Sequence, residues 1–248
     1  MKRILFITIF YIISTLVLHA QKEGVQNRPY TDLREFHFGI LVGTHLQDME
    51  MTNVGPQTIT LDDGTTNEQL ISADQDRWDP GFTVGVLGEF RINTYFQLRI
   101  APTMYFGTRH IKFINHSISN SNGVPTEQRQ EMKTAYMACS NDLIFAAQRF
   151  SNHRPYIMAG VSPMINLNSK NDDFIKLKKL DTYLEFGLGC DFYLQYFKLR
   201  PELKFMYSLT NSLDKSHSKD ITNTAMLPYT NSINNTHAKI IALTFYFE

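Results

Sequence analysis

The feature that most constrains the fold is a long, regular alternation of apolar and polar residues between positions 181 and 209. Its apolar positions are Leu184, Phe186, Leu188, Cys190, Phe192 and Leu194, followed by Phe197, Leu199, Leu203, Phe205 and Tyr207. Successive strand residues point to opposite faces, so the pattern predicts a hairpin that turns at Gln195 and Tyr196. Each strand has about twelve residues, which exceeds the usual five or six. That length suits a tilted strand across a bilayer, which needs about nine to eleven residues.

Similar alternation recurs elsewhere in the chain. The further strands are predicted at 35–45, 81–92, 95–106, 133–146, 155–166 and 237–248. Links after the second, fourth and sixth strands are short, whereas polar loops are predicted at 46–80, 107–132, 167–180 and 209–236. Short periplasmic turns and long extracellular loops are typical of outer-membrane barrels. The sequence therefore predicts an all-β fold, an eight-stranded antiparallel transmembrane β-barrel over residues 35–248. A soluble β protein is the alternative.

Two prolines fall inside predicted strands, Pro102 and Pro201. Proline cannot donate to a β-ladder and is usually confined to sheet edges or bulges. A closed barrel has no free edge, so we expect a bulge or a local bend at both positions.

The N-terminus has the pattern of a secretory signal peptide. Lys2 and Arg3 precede an apolar run over 4–18, and Ala20 supplies a small residue before Gln21. We therefore assign 1–20 to a cleaved signal peptide and 21–34 to a periplasmic lead. No later apolar run reaches eighteen residues, so no membrane helix is expected after the signal.

Composition and motifs argue against several function classes. The 24 basic residues are balanced by 24 acidic ones, which gives no indication of nucleic-acid binding. The histidines are scattered, without the spacing of a metal site or a catalytic set. We predict no enzymatic activity, no cofactor, no metal site and no small-molecule substrate. A lipid-modifying barrel enzyme is an alternative that requires Ser, His and Asp to cluster at the outer rim.

The polar faces of the predicted strands carry many charges. The charges expected inside the barrel are Glu89, Arg91, Arg99, Glu185, Asp191, Lys198, Arg200, Glu202 and Lys204. The interior of an eight-stranded barrel is just wide enough for its own side chains. Opposite charges there should pair, because an unpaired buried charge is costly. We predict a structural network that blocks passage, with a conduction or proton path as the alternative.

Several segments together resemble a known family. They are FHFGILVG at 36–43, PGFTVGVLGEFRIN at 80–93, LRIAPTMYFG at 98–107, NHRPYIMAGVSPM at 152–164, YLEFGLGCDFYLQYFKLRPELKF at 183–205 and LTFYFE at 243–248. The chain resembles the PorT-like outer-membrane β-barrels, which include the small barrel of the Bacteroidota type IX secretion system. Members usually carry a Glu and then a Pro in the fourth strand, where this chain has Ala138 and Ser140.

The resemblance implies a function and a location. It implies a non-enzymatic component of the outer membrane, needed to export cargo with C-terminal sorting domains. The partners implied are outer-membrane lipid and other secretion-system proteins, and no catalytic or ligand residues carry over from the family. The alternative is a stand-alone structural or adhesive barrel that acts through its extracellular loops.

Overall fold

The protein is described here by a computed structural model that covers residues 25–60, 66–119, 124–168, 173–219, 221 and 226–248. The predicted signal peptide at 1–20 lies outside these residues. The strands are β1 (Phe36–Asn53), β2 (Pro56–Thr60), β3 (Thr66–Asp74), β4 (Asp79–Arg91), β5 (Phe96–Ser119), β6 (Pro125–Ala146), β7 (His153–Asn166), β8 (Leu180–Tyr193), β9 (Lys198–Ser208) and β10 (Ile233–Phe247). Short helical turns lie at Thr31–Leu33, Lys215–Lys219 and α1 (Leu227–Thr230). None of the described helices has the length and apolar character needed to cross a membrane.

The strands form one antiparallel sheet that closes on itself. Around the ring the order is β1, β4, β5, β6, β7, β8, β9 and β10, and β10 pairs with β1 again. The predicted eight-stranded antiparallel barrel is therefore confirmed. The other two strands, β2 and β3, form a hairpin that joins the ring through the pairing of residues 71–74 of β3 with residues 112–115 of β5.

The two ends of the barrel differ in their connections. Short turns at 92–95, 147–152 and 194–197 lie at one end, which we call the turn end. Phe36 and Phe247 also lie there, since they pair with residues that flank these turns. The longer connections meet at the opposite end, called the loop end. The predicted alternation of short and long connections holds except between β5 and β6, which only residues 120–124 separate.

Much of two predicted loops is strand, so the predictions for 46–80 and 107–132 are wrong in their boundaries. β1 continues to Asn53, and the β2–β3 hairpin follows it. β5 and β6 stay paired in one register as far as Asn115 and Thr126, and they pair once more at Ser119 and Pro125 after a register shift. The sequence predicts a strand only where its outward face is apolar. That apolar face ends before the hydrogen bonds between the strands do. Beyond it, strands continue with polar residues outward, such as Lys112, and apolar residues inward, such as Phe113.

The outer surface carries a continuous set of exposed apolar side chains, which we call the apolar belt. Its members include Phe38, Ile40, Val42, Val84, Val86, Leu98, Leu143, Phe145, Ile157, Leu184, Phe186, Leu188, Phe205, Leu243 and Phe245. A soluble monomer rarely exposes so large an apolar surface. A band of this kind around a barrel is the surface that contacts lipid in outer-membrane proteins.

The two mid-strand prolines are accommodated without the expected bulge. Pro102 pairs with Cys139 of β6, and Pro201 pairs with Phe245 of β10, in unbroken register. On the side towards β4 or β8, the ladder omits the pair at the proline and the pair next to it, and then resumes in the same register. The missing N–H therefore interrupts one side of each strand only, and the neighbour on the other side keeps the strand in place.

An apolar cluster closes the interior at the loop end, and we call it the loop-end cap. It consists of Met49, Ile71, Ala73, Ile111, Phe113, Met132, Ile175, Leu177, Leu213 and Ile233. Phe113 is fully buried at its centre, with its ring 5.4 Å from that of Phe174 and 5.8 Å from that of Tyr229. The strand extensions beyond the belt thus hold a hydrophobic core of their own.

We predict that Phe113→Ala lowers the free energy of unfolding by about 3–5 kcal/mol, because it leaves a cavity in the cap. Urea unfolding of the protein in detergent micelles measures the change. Ile118→Ala is the matched control, since Ile118 lies on the same strand but is 46% exposed; its effect should stay within about 0.5 kcal/mol. Equal losses for the two variants would show that the cap does not stabilise the fold.

Candidate functional site

The site built from the predicted charges lies inside the ring, nearer the turn end. All of these charges except Arg91 point inward and are almost fully buried: Glu89, Arg99, Glu185, Asp191, Lys198, Arg200, Glu202 and Lys204. They come from β4, β5, β8 and β9, whose inward positions face one another across a narrow lumen. Arg91 lies outside this network and donates a hydrogen bond to the Leu33 carbonyl oxygen at 3.2 Å.

Arg200 organises the part of the network nearest the turn end. Its guanidinium donates to both carboxylate oxygens of Glu89 and both of Asp191, with Nη2 at 3.2 Å from each residue. Its Nη1 also lies 3.3 Å from Glu248 Oε1, and Lys198 pairs with the other oxygen of Glu248. The planar fork of arginine suits such two-pronged contacts, which are among the strongest hydrogen bonds in proteins.

Arg99 and Glu202 form the centre of the network. Arg99 Nη1 lies 2.7 Å from Glu202 Oε2, and the hydroxyls of Tyr156 and Tyr246 donate to the same carboxylate at 2.7 and 2.8 Å. The Arg99 guanidinium also stacks over the Tyr246 ring, 4.3 Å from its centroid. The buried carboxylate therefore has an ion pair and two further donors, as its desolvation requires.

Lys204 joins β9 to β8 and β6. Its ammonium lies 2.8 Å from Glu185 Oε2 and 3.4 Å from Asp142 Oδ2. The Ser140 hydroxyl donates to Glu185 at 3.1 Å, and Arg99 Nη1 lies 3.9 Å from Asp142. The other oxygen of Asp142, Oδ1, is buried and has no hydrogen-bond partner among the described residues.

Sequence reasoning missed four members of the network: Asp142, Glu248, Tyr156 and Tyr246. A signal for Asp142 was present, because it alternates with Leu143 and Phe145, both of which face outward. The buried tyrosines were harder to find, since a two-step pattern treats a tyrosine as apolar and does not show where its hydroxyl points. The hydroxyls of these two tyrosines donate hydrogen bonds to Glu202, in addition to its ion pair with a buried cation.

The network contains more carboxylates than cations. The carboxylates are Glu89, Asp142, Glu185, Asp191, Glu202 and Glu248, and the cations are Arg99, Lys198, Arg200 and Lys204. Removing a cation leaves a buried carboxylate unpaired, which costs several kcal/mol. Removing one of the carboxylates that surround Lys204 instead relieves the repulsion between them. The two kinds of change should therefore affect stability differently.

Residues 25–34, the described part of the predicted lead, fold across the turn end of the barrel. Asp32 accepts a hydrogen bond from the Tyr193 hydroxyl at 2.6 Å and lies 3.7 and 3.6 Å from the guanidinium nitrogens of Arg149 and Arg154. The Arg149 guanidinium lies over the Tyr193 ring, 3.6 Å from its centroid. We call this segment and its contacts the turn-end seal.

Further hydrogen bonds attach the seal to the short turns and to the network. The Asn27 amide donates to Asn152 Oδ1 at 2.9 Å, and its side chain donates to the Tyr193 carbonyl at 3.0 Å. Arg28 Nη1 donates to the backbone carbonyl of Glu248 at 2.9 Å. The lead is thus held by both polar contacts and charge.

Side chains occupy the lumen at successive levels between the seal and the cap. Along β5 the inward positions run from Arg99 in the network through Tyr105 to Arg109, and then to Phe113 in the cap. Tyr105 belongs to a middle layer with Tyr136, Ala138, Met164, Tyr183, Met206, Ala238 and Ile240. Such an interior is built to hold the barrel together rather than to pass a folded protein.

A Ser–Asp cluster does occur at the loop-end rim, but its geometry is not that of a catalytic triad. Asp181 accepts hydrogen bonds from the hydroxyls of Ser208 and Ser212. The nearby His237 places Nδ1 at 3.0 Å from the carbonyl oxygen of Ser208, not from its hydroxyl. A triad needs the imidazole to face the nucleophilic oxygen. Within the described parts of the chain, no group of His, Cys, Asp and Glu is arranged to hold a metal ion.

A known protein family matches most of this chain. The family described as "Outer membrane protein beta-barrel domain" matches residues 20–214. Neisserial surface protein A is similar in structure, with a TM-score of 0.42 and 12% identity over 86% of this chain and 98% of that one. Ail, the attachment invasion locus protein of Yersinia pestis, gives 0.37 and 11% over 86% and 99%. No curated protein sequence matches the chain significantly.

We predict that Arg99→Gln lowers the free energy of unfolding by about 3–5 kcal/mol, because Glu202 and Glu89 lose a buried cation. Asp142→Asn should leave it unchanged or raise it, since carboxylates are in excess around Lys204. Urea unfolding in detergent micelles compares the two variants.

Arg91→Gln serves as the control for this comparison, because Arg91 carries the same charge and lies outside the network. Its effect should remain within about 0.5 kcal/mol. If Asp142→Asn were as destabilising as Arg99→Gln, the inferred imbalance of charge would be wrong.

Proposed function

Because the chain belongs to the outer membrane protein β-barrel domain family, and is therefore a small outer-membrane barrel, we propose that it is a non-enzymatic component of type IX protein secretion. In this role it is needed for the export of cargo with C-terminal sorting domains. It acts as an anchor or adaptor within the export apparatus, and the cargo passes elsewhere.

The observation that supports this proposal is that inward side chains of β8 and β9 fill part of the barrel lumen. Residues 183–205 carry the strongest resemblance to the PorT-like barrels, and the same residues supply most of the predicted lumen charges. These include Arg200 and Glu202, which are buried and paired across the ring. The segment that resembles the secretion family is thus also the segment that fills much of the lumen with paired charges.

A closed barrel can contribute to export only through its surfaces. The loop end offers ordered strand extensions over the apolar cap, and the turn end offers the seal formed by residues 25–34. Both surfaces are joined to the barrel by packing, hydrogen bonds or ion pairs, so a partner bound at either end would be tethered to the outer membrane. This arrangement suits an anchor for a larger assembly.

Deletion of the gene in its host tests the proposal. We predict that cargo with C-terminal sorting domains accumulates in the periplasm and disappears from the medium and the cell surface. The intact gene should restore export, and the abundance of an unrelated outer-membrane protein should not change. Complementation with Arg91→Gln, which leaves the lumen network intact, should restore export as well as the parent does.

The second candidate is a stand-alone structural or adhesive barrel that acts through its loop end. The observation that favours it is the β2–β3 hairpin, which projects from the ring and is attached through β5. Normal export in the deletion strain, combined with weaker attachment of the cells to surfaces, would replace the secretion proposal with this one.

A further inference from the structure

The barrel wall has a notch where β5 changes its partner. β4 pairs with β5 only as far as Gly81 and Gly107, whereas β3 begins to pair with β5 at Asp74 and Lys112. Residues 108–111 of β5 therefore lie between the two partner strands. The link 75–78, which joins β3 to β4, crosses the wall at this level.

Side chains replace the missing ladder in the notch. Asp79 Oδ2 accepts a hydrogen bond from the His110 backbone N–H at 2.7 Å, and its Oδ1 lies 2.8 Å from His110 Nδ1. Gln47 Nε2 donates to the Thr108 carbonyl at 3.3 Å. Because buried backbone groups need partners, these contacts identify the notch as a built part of the wall rather than a frayed one.

An outward-facing cavity of about 750 Å³ lies over the notch, and we call it the lateral groove. Its apolar side is formed by Trp78, Phe82 and Phe106, and the two phenylalanine rings stack at 4.9 Å. Its polar side includes Arg77, His110 and Lys133. Trp78 and Phe82 are 41% and 56% exposed, so their rings are available to a ligand.

The groove crosses the edge of the apolar belt. On β5 the outward positions change from Phe106 to Thr108 and His110, and on β6 they change from Ala135 to Lys133. The apolar half of the groove thus lies level with lipid chains and the cationic half lies level with head groups. Tryptophan is enriched at this depth in membrane proteins, and lysine extends its charge towards the head groups there.

Lys133 is the cation at this edge with no ion-pair partner among the residues that the structure describes. By contrast, Lys112 lies 2.7 Å from Glu127, Lys239 lies 2.6 Å from Glu50, and Arg77 Nε lies 3.1 Å from Asp79. Lys133 lines the groove and is exposed, so its ammonium can meet an anion without first breaking an ion pair within the described residues.

We propose that the lateral groove binds an anionic membrane lipid. One acyl chain lies along Trp78, Phe82 and Phe106, and the phosphate of the head group lies against Lys133, with Arg77 beside it. Lipid is the occupant that fits, because the groove opens directly onto the apolar belt and its two halves match the two halves of a lipid. Charge complementarity at Lys133 selects an anionic head group over a zwitterionic one.

The single tryptophan of the chain, Trp78, reports on the groove, but it also borders a second apolar cavity beside Phe205 and Ile241. Lys133 lines only the first of these two cavities, so a Lys133 variant separates their contributions. The purified protein is inserted into vesicles that mix unlabelled phosphatidylcholine with either brominated phosphatidylglycerol or brominated phosphatidylcholine. Bromine on the acyl chain quenches a tryptophan ring that it contacts. We expect phosphatidylglycerol to quench Trp78 more strongly than phosphatidylcholine at the same mole fraction.

Lys133→Gln should reduce this preference on the order of fivefold, the effect of one basic residue near an anionic surface. Quenching by brominated phosphatidylcholine should stay as in the parent, which shows that the variant is folded and that Trp78 still contacts lipid. Lys178→Gln is the matched control, since Lys178 is exposed at the loop end away from the groove. Equal quenching by both lipids in the parent, or an unchanged preference in Lys133→Gln, would overturn the proposal.

Discussion

The ion pair between Arg99 and Glu202 spans the full width of the barrel. Arg99 is on β5 and Glu202 on β9, which lie opposite each other in the ring of eight strands. A closed antiparallel ring must point every second side chain into a narrow lumen, where an unpaired charge is costly. Pairs that reach across the lumen meet this requirement and also hold opposite walls at a fixed distance. The rest of the interior is arranged around this constraint.

Both ends of the lumen protect that charged centre from water, by different means. At the loop end, strands continue beyond the apolar belt and enclose a hydrophobic cluster around Phe113. At the turn end, the lead segment places Asp32 against Arg149 and Arg154. Electrostatic attraction is stronger where water is excluded, so each closure strengthens the network that it covers. The surfaces that remain accessible are the two ends and the lipid-facing wall.

The wall is not uniform, because β5 exchanges β4 for β3 as its partner before it reaches the loop end. The exchange brings Trp78 and Lys133 together on the outer face, although they are far apart in the sequence. Nothing in the local pattern around either residue indicates a site. The two residues meet because of where β4 stops pairing with β5 and β3 begins. From the sequence alone, a polar segment such as 46–80 is predicted to be a loop, because its strand pairing is not visible there.

The sequence by itself determined the barrel, because alternation with period two assigns each strand residue to lipid or lumen and the link lengths assign the turn and loop ends. It also placed residues such as Arg200 and Glu202 inside, since their neighbours in the strand are apolar. Only the tertiary structure decided which charges meet, because pairing across a ring depends on register and shear between distant strands. The tertiary structure alone placed Asp142, Tyr246 and the lead segment in contact with that network. It alone also showed that the strands continue beyond the belt, because the hydrogen bonds between strands persist after the apolar pattern stops.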